Sequence, residues 1–478
     1  MSTLKNLVRK GFYADSVALM RVAREVSGSA GVVEASLMIG TPSNKALLAD
    51  SGLLAAEGKA ARPEDLVIAV KAKSPAQAQA ALDLAGRLLA SRSETPKAGG
   101  VSSFSSVASA AESLEGANLA LISIPGAFAA AEAKRALERG MHVLMFSDNV
   151  PVAEEVALKK LAISKGLLMM GPDCGTALIG GAPLAFANAV PRGDVGLVSA
   201  SGTGLQEVST LLARMGQGVS HGIGVGGRDL YQEVGGMMTL AAMDALEADP
   251  ATKRIIVISK PPAPSVTKKI LARAKRSRKP VTLCLLGAKG AGKGIVRTLE
   301  EASGFASRDQ VSLKASGSIR GLFCGGTLCA EAQIVLMDHG LKVSSNAAVP
   351  GASAKGAKHV LLDLGDDDYT RGRPHPMIEP ALRNDLLDAA LKDKAVGVVL
   401  LDVVIGYGAH ADPAGLLAAV LKKHRGHRKL VVASVTGTDA DPQGYSKQVE
   451  TLKSAGVVVA GSNAAAARIA AKAVGGRP

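Results

Sequence analysis

Two stretches of this chain follow one design. "VGLVSASGTGLQEVSTLLARMG", residues 195–216, and "IRGLFCGGTLCAEAQIVLMDHG", residues 319–340, each run from an apolar strand pattern through a small-residue turn containing Gly-Thr into a helical segment. Both carry a carboxylate near the helix start and close on Gly. Such a turn leaves the first N–H groups of the helix without carbonyl partners, at the positive end of the helix dipole. It serves either as an ordinary capped βα connection or as an anion site. The candidate phosphate-binding residues are Ser201, Gly202, Thr203 and Gly204 in the first turn and Gly325, Gly326 and Thr327 in the second. Glycine lets the backbone approach an anion closely, and the hydroxyls can cap the helix or bind the same ion. If the domains that carry the turns face each other, both dipoles converge on one phosphate.

At 478 residues the chain is too long for one ordinary domain. Its hydrophobic fraction of 47% includes only 3% aromatic residues and no Trp, so cores must be built from Ala, Val, Leu and Ile. That composition suits parallel strands covered by Ala-rich helices, an α/β fold. Residues 1–92 alternate short apolar runs with helical patterns, as expected of a small N-terminal α+β domain. "SRSETPKAGGVSSFSS" opens an expected linker over 93–116. Repeats of βα pattern then fill 117–190, 191–312 and 318–478.

The net charge of +14 is scattered. Its densest clusters, Lys268 to Lys279 and Lys422 to Lys429, fall on helical patterns with no RNA-binding aromatic motif nearby, so no nucleic-acid partner is expected. The four cysteines, at 174, 284, 324 and 329, form neither a CxxC pair nor a zinc spacing, and no metal is expected. No apolar stretch reaches the ~20 residues needed to cross a bilayer, and the N-terminus lacks a secretory apolar region. A cytoplasmic protein without a membrane partner is the expectation.

Further candidates lie at strand ends, where open α/β sheets bind ligands. "DLGDDDYTRGRPHP", residues 363–376, gathers Arg371, Arg373 and His375 after an apolar strand. Either arginine could clamp a carboxylate or phosphate, and His375 could move a proton near neutral pH. His410 follows the next strand, and Asp173 occupies another strand-end turn; both are candidate substrate contacts. Cys174 reads as a packed residue, because no base can be assigned to it. "GAKGAGKG", residues 287–294, nearly matches a P-loop, but Gly294 stands where the magnesium-holding Ser or Thr belongs.

"GPDCGT" at 171–176, "VGLVSASGTGLQE" and "GIGVGGRDL" resemble the alpha subunit of succinyl-CoA synthetase, and 318–478 resembles the carboxy-terminal domain of its beta subunit. The whole arrangement is similar to FdrA-type proteins, acyl-CoA synthetase relatives also linked to oxamate carbamoyltransferase. The resemblance implies a Rossmann-like CoA-binding-type domain at 117–190 and two flavodoxin-like synthetase-type domains. In the synthetase, two helix starts clasp a phosphorylated histidine and a glutamate orients its ring. The resemblance puts the helix starts on the two Gly-Thr turns and a catalytic glutamate on Glu207. The departures matter equally: no histidine lies between Val281 and Ala302, where the carrier is expected, and no ATP-grasp region is recognisable. A subunit that transfers a carbamoyl or acyl group to or from phosphate accounts for both absences, because an acyl phosphate is already activated. Glu207 and His375 are then the catalytic candidates, phosphate or carbamoyl phosphate the ligand, and CoA an open possibility. The alternatives are an acyl-CoA synthetase working with a separate nucleotide-binding subunit, and a non-catalytic scaffold retaining an anion pocket. The expected partners are a small anionic substrate, additional subunits and further copies of the chain.

Overall fold

The computed structural model describes residues 2–477 except 13, 15, 94–103, 105, 287–293, 308–312 and 371–373. Residues 1–103 with 367–374 form one compact unit, and 104–366 with 375–478 the other.

In the first unit, β1 (Thr3–Arg9), α1 (Ser16–Ser27), β2 (Val32–Ile39), α2 (Pro42–Asp50), α3 (Ala56–Lys59), β3 (Leu66–Ala72) and α4 (Pro75–Ser93) form an α+β domain. Its antiparallel sheet has the order β1-β3-β2. The central strand reads "LVIAVKA" and is buried at all but one position, because it is flanked on both edges.

The second unit is α/β throughout. The expected linker over 93–116 contains a helix, α5 (Val107–Ser113), started by Ser106, whose hydroxyl accepts from the Ser109 amide. A small parallel sheet follows, built from β4 (Leu119–Ile122), α6 (Gly126–Glu138), β5 (His142–Met145), α7 (Val152–Ser164) and β6 (Met169–Met170). Next come β7 (Thr176–Ile179), β8 (Ala182–Ala185), β9 (Arg192–Ser199), α8 (Gly202–Arg214), β10 (Val219–Gly224), α9 (Met237–Ala248), β11 (Arg254–Ser259), α10 (Pro264–Lys275), β12 (Val281–Leu285), β13 (Ile295–Val296) and α11 (Leu299–Ser303). Their sheet order is β13-β12-β11-β9-β10-β7-β8. The hairpin of β7 and β8, expected with the 117–190 domain, therefore joins this larger sheet. It pairs antiparallel with β10, so the edge of that strand does not stay open.

The last domain runs β14 (Ser318–Phe323), α12 (Gly326–Asp338), β15 (Val343–Ser344), β16 (His359–Asp363), then, beyond the short helix α13 (Asp367–Thr370) of the first unit, α14 (Ala381–Lys392), β17 (Val396–Val404), α15 (Pro413–Lys423), β18 (Leu430–Thr436), α16 (Tyr445–Ser454), β19 (Val458–Ala460) and α17 (Asn463–Ala473). Its parallel sheet has the order β15-β16-β14-β17-β18-β19.

In each large sheet the first parallel strand, β9 or β14, has later strands on both sides. Each is thus a topological switch point, where a crevice opens at the carboxyl ends. The helices that leave these strands are α8 and α12, the two with Gly-Thr starts. One hydrophobic core joins both sheets: Leu205, Val208 and Leu212 of α8, Leu328 and Ala332 of α12, and the alanine face of α17 from Ala464 to Ala471 are all buried in it. The alanine face of α17 lets its backbone lie close to that of α12. Among the described residues no helix is long and apolar enough to cross a membrane.

Candidate functional site

The two helix starts meet. Ser201, the N-cap of α8, accepts a bond from the Gly204 amide, and its Oγ lies 2.5 Å from Thr327 Oγ1 in the first turn of α12. A Cβ on Gly325 would fall 3.0 Å from Thr203 carbon atoms, so alanine there would force the turns apart. Gly202 is equally constrained, by Thr176 Oγ1 at 2.8 Å from such a Cβ. The glycines and threonines singled out in the sequence thus come together at one junction within the second unit.

The start of α12 is prepared differently from that of α8. Gly325 is its N-cap and offers no side-chain cap, so the first-turn amides keep no local acceptor. The amides just before it, of Cys324 and Gly325, each donate to a carboxylate oxygen of Asp402 at 2.7 Å. Burial pushes the Asp402 carboxyl up to about 6, against those two donors and Arg383. Asp363, at the end of β16, places Oδ2 2.5 Å from where a Gly326 Cβ would stand, and Lys260 Nζ lies 3.2 Å from the same point. Burial raises the Asp363 carboxyl and the Lys260 ammonium opposes that shift. Lys260 and Asp363 were not among the sequence candidates, although both follow the strand-end rule that picked out the others.

The Glu207 carboxylate bonds to residues of the last domain. One carboxylate oxygen accepts from Thr436 Oγ1 at 2.5 Å and the other from the Asn463 amide at 3.1 Å, at the start of α17. Glu331 occupies the matching place on α12, five residues after its first Gly. It accepts from the Leu299 amide and from Asn463 Nδ2. Asn463 therefore ties both helix carboxylates to α17, and burial raises both carboxyls, that of Glu331 to about 8. This geometry gives Glu207 a cross-linking role between domains.

His375 is partly buried beside the α12 turn: a Cβ on Gly365 would lie 2.6 Å from its Nε2 and 2.9 Å from the Cys324 carbonyl oxygen. Its Nδ1 accepts from the Met377 amide, which leaves the ring proton on Nε2, and burial pushes the imidazole down to about 4. The ring is accordingly neutral near pH 7 and suited to donate a hydrogen bond, whereas the sequence reading has it move a proton. The His410 amide donates to the carbonyl oxygen of Met377, two residues along the chain from His375, while its Nδ1 accepts from the Asp412 amide. Asp173 is exposed in the turn after β6, where Thr176, three residues on, abuts Gly202. Arg371, Arg373 and the 287–293 stretch lie outside the described residues. All four thiols are buried, and burial pushes those of Cys174 and Cys324 up to about 12, far from a nucleophile's range.

Three family descriptions match the chain: "AllF, heavy metal-associated domain" over 1–104, "CoA binding domain" over 192–285 and "CoA-ligase" over 322–474. The first implies a metal that this domain does not suit. No Cys or His occurs before residue 142, so the thiolates and imidazoles of such a carrier are missing. The chain is 40% identical to the uncharacterized protein YahF of Escherichia coli K12, over 96% of each chain. It is 30% identical to the alpha subunit of the ADP-forming succinate–CoA ligase of Aquifex aeolicus, over 30% of this chain and 48% of that one. A solved structure, the dinucleotide-forming acetyl-coenzyme A synthetase 1 of Ca. Korarchaeum cryptofilum in complex with phosphate and ADP, is 16% identical, covers 78% of this chain and 85% of that one, and gives a TM-score of 0.33. The chain belongs to the succinyl-CoA synthetase superfamily of CoA ligases, as a YahF-like member with an AllF-type N-terminal domain.

Proposed function

We propose that this protein is the subunit of a carbamoyltransferase that holds the phosphate of carbamoyl phosphate between the starts of α8 and α12, with an oxamate-like acid as the acceptor. The observation that carries this reading is the contact of the two Gly-Thr helix starts at the Ser201–Thr327 hydroxyl pair. Fixed N–H donors and two dipoles aimed at one point stabilise negative charge as it develops, without having to reorganise. In the reaction the acceptor's amide nitrogen attacks the carbamoyl carbon and the bond from that carbon to the phosphate oxygen breaks. The nitrogen's proton leaves on the phosphate, so carbamoyl phosphate and the amide become a ureido acid and inorganic phosphate. No protein base is required, in keeping with the occupied carboxylate of Glu207 and the neutral ring of His375. Lys260 supplies the counter-charge to the departing phosphate. Purified with the subunits that accompany it, the protein should convert the ureido acid derived from oxamate into oxamate and carbamoyl phosphate only when phosphate is present. Cleavage that ignores phosphate, or none with any co-purified subunit, would overturn the reading.

A second reading, an acyl-CoA synthetase completed by a nucleotide-binding subunit, is favoured by the CoA binding domain match over 192–285. It requires a phosphoryl carrier from another chain, since 281–302 holds no histidine.

A further inference from the structure

We infer that Arg383 receives the carboxylate of the acceptor acid side-on, through Nε–H and Nη2–H, beside the phosphate held at the start of α12. This rests on the transferase reading and adds to it the seat that selects the substrate. Arg383 lies in the first turn of α14 and is 1% exposed. Its Nη1 is fixed by two contacts, the Cys324 Sγ at 3.2 Å and the Asp402 carbonyl oxygen at 3.0 Å. Cys324 immediately precedes the N-cap of α12, so the guanidinium is pinned against the turn that carries Gly325, Gly326 and Thr327.

The other edge of the guanidinium is what calls for a ligand. Nε and Nη2 are buried and have no hydrogen-bond partner among the described residues. The Asp402 carboxylate oxygens take the Cys324 and Gly325 amides and its carbonyl oxygen takes Nη1, so Asp402 leaves this edge without a hydrogen bond. A buried guanidinium with two open donors is costly unless an anion meets it. Nε–H and Nη2–H point in parallel at a spacing that matches the two oxygens of one planar carboxylate, the geometry in which arginine outperforms lysine. Tetrahedral phosphate is served by the helix starts; the flat edge of Arg383 is served by a flat acid. Together they define a substrate class: a short α-carboxylate whose neighbouring carbon bears the amide that is to be carbamoylated.

Direct binding to the full-length protein tests this apart from turnover. By calorimetry, the wild type should bind oxamate at least about tenfold more tightly than oxamide, its uncharged counterpart, and Arg383→Gln should bind the two alike. Arg383→Lys, which keeps the charge and loses the fork, should also lose most of the preference while leaving phosphate affinity within about twofold of wild type. Equal wild-type affinity for oxamate and oxamide overturns the assignment without any variant, so it remains testable if both substitutions prevent folding. Variants that fold and keep the preference overturn it too. If transfer proceeds normally in those variants, the transferase reading survives and the carboxylate seat does not. If oxamate preference depends on Arg383 but no transfer occurs, the seat survives and the reaction does not.

Discussion

At the scale of single residues, Asp363 and Lys260 decide what the start of α12 can hold. Both lie beside Gly326, one acidic and one basic, at the same uncapped helix start. A carboxylate at that point competes with phosphate unless it carries a proton, and burial already raises the Asp363 carboxyl. Phosphate binding should therefore take up a proton at Asp363. Asp363→Asn should tighten inorganic phosphate binding about threefold or more near pH 7 and reduce its dependence on pH, both readable by calorimetry in buffers of different ionisation heat. Unchanged affinity would remove Asp363 from the site. Lys260 was not legible in the sequence because an exposed lysine ahead of two prolines looks like an ordinary solvated residue. Glu207 was legible as a carboxylate near a helix start, but its bonding partners were not. Its partners Thr436 and Asn463 lie 229 and 256 residues away, a pairing that no local pattern announces. Arg383 escaped notice for the opposite reason: within "ALRNDLL" it looks like one more charge on an amphipathic helix.

Among the elements, α8, α12 and α17 form the core of the interface between the two large sheets. Their alanine-rich and leucine-rich faces were foreseeable from composition, and so was the helix start after each switch-point strand. The antiparallel attachment of β7 and β8 was not, because an edge strand carries no sign of which sheet will pair with it. The polar seam of this interface is Glu207, Glu331 and Asn463. Burial holds the Glu331 carboxyl at about 8, above its usual value of 4.5. A carboxyl raised on folding contributes stability that is complete below the unfolded value and is lost as pH climbs through the folded one. The wild-type melting temperature should accordingly fall between about pH 5 and pH 8 by more than that of Glu331→Gln, whose side chain has no proton to lose. Thermal scans across that range check this. Parallel pH profiles would show that Glu331 stays ionised in the folded protein.

For the molecule as a whole, a member of the CoA-ligase superfamily brings two Gly-Thr helix starts into contact and has no histidine between Val281 and Ala302. The N-terminal unit has the AllF-type fold without the thiolates or imidazoles of a metal carrier. The α/β class could be read from repeats of strand and helix, because parallel strands and their covering helices leave strong periodic patterns. What could not be read is which side chains face one another across domains, and the central claim concerns such a facing pair. That claim is that α8 and α12 hold one phosphate between them. Its most direct test is a double-mutant cycle on phosphate or carbamoyl phosphate binding with Ser201→Ala, Thr327→Val and the two combined. Each single change should weaken binding, and the pair should show a coupling of about 0.5–3 kcal/mol, as residues sharing one partner do. Strict additivity, or binding untouched by either change, would mean that the two helix starts serve separate ligands or none.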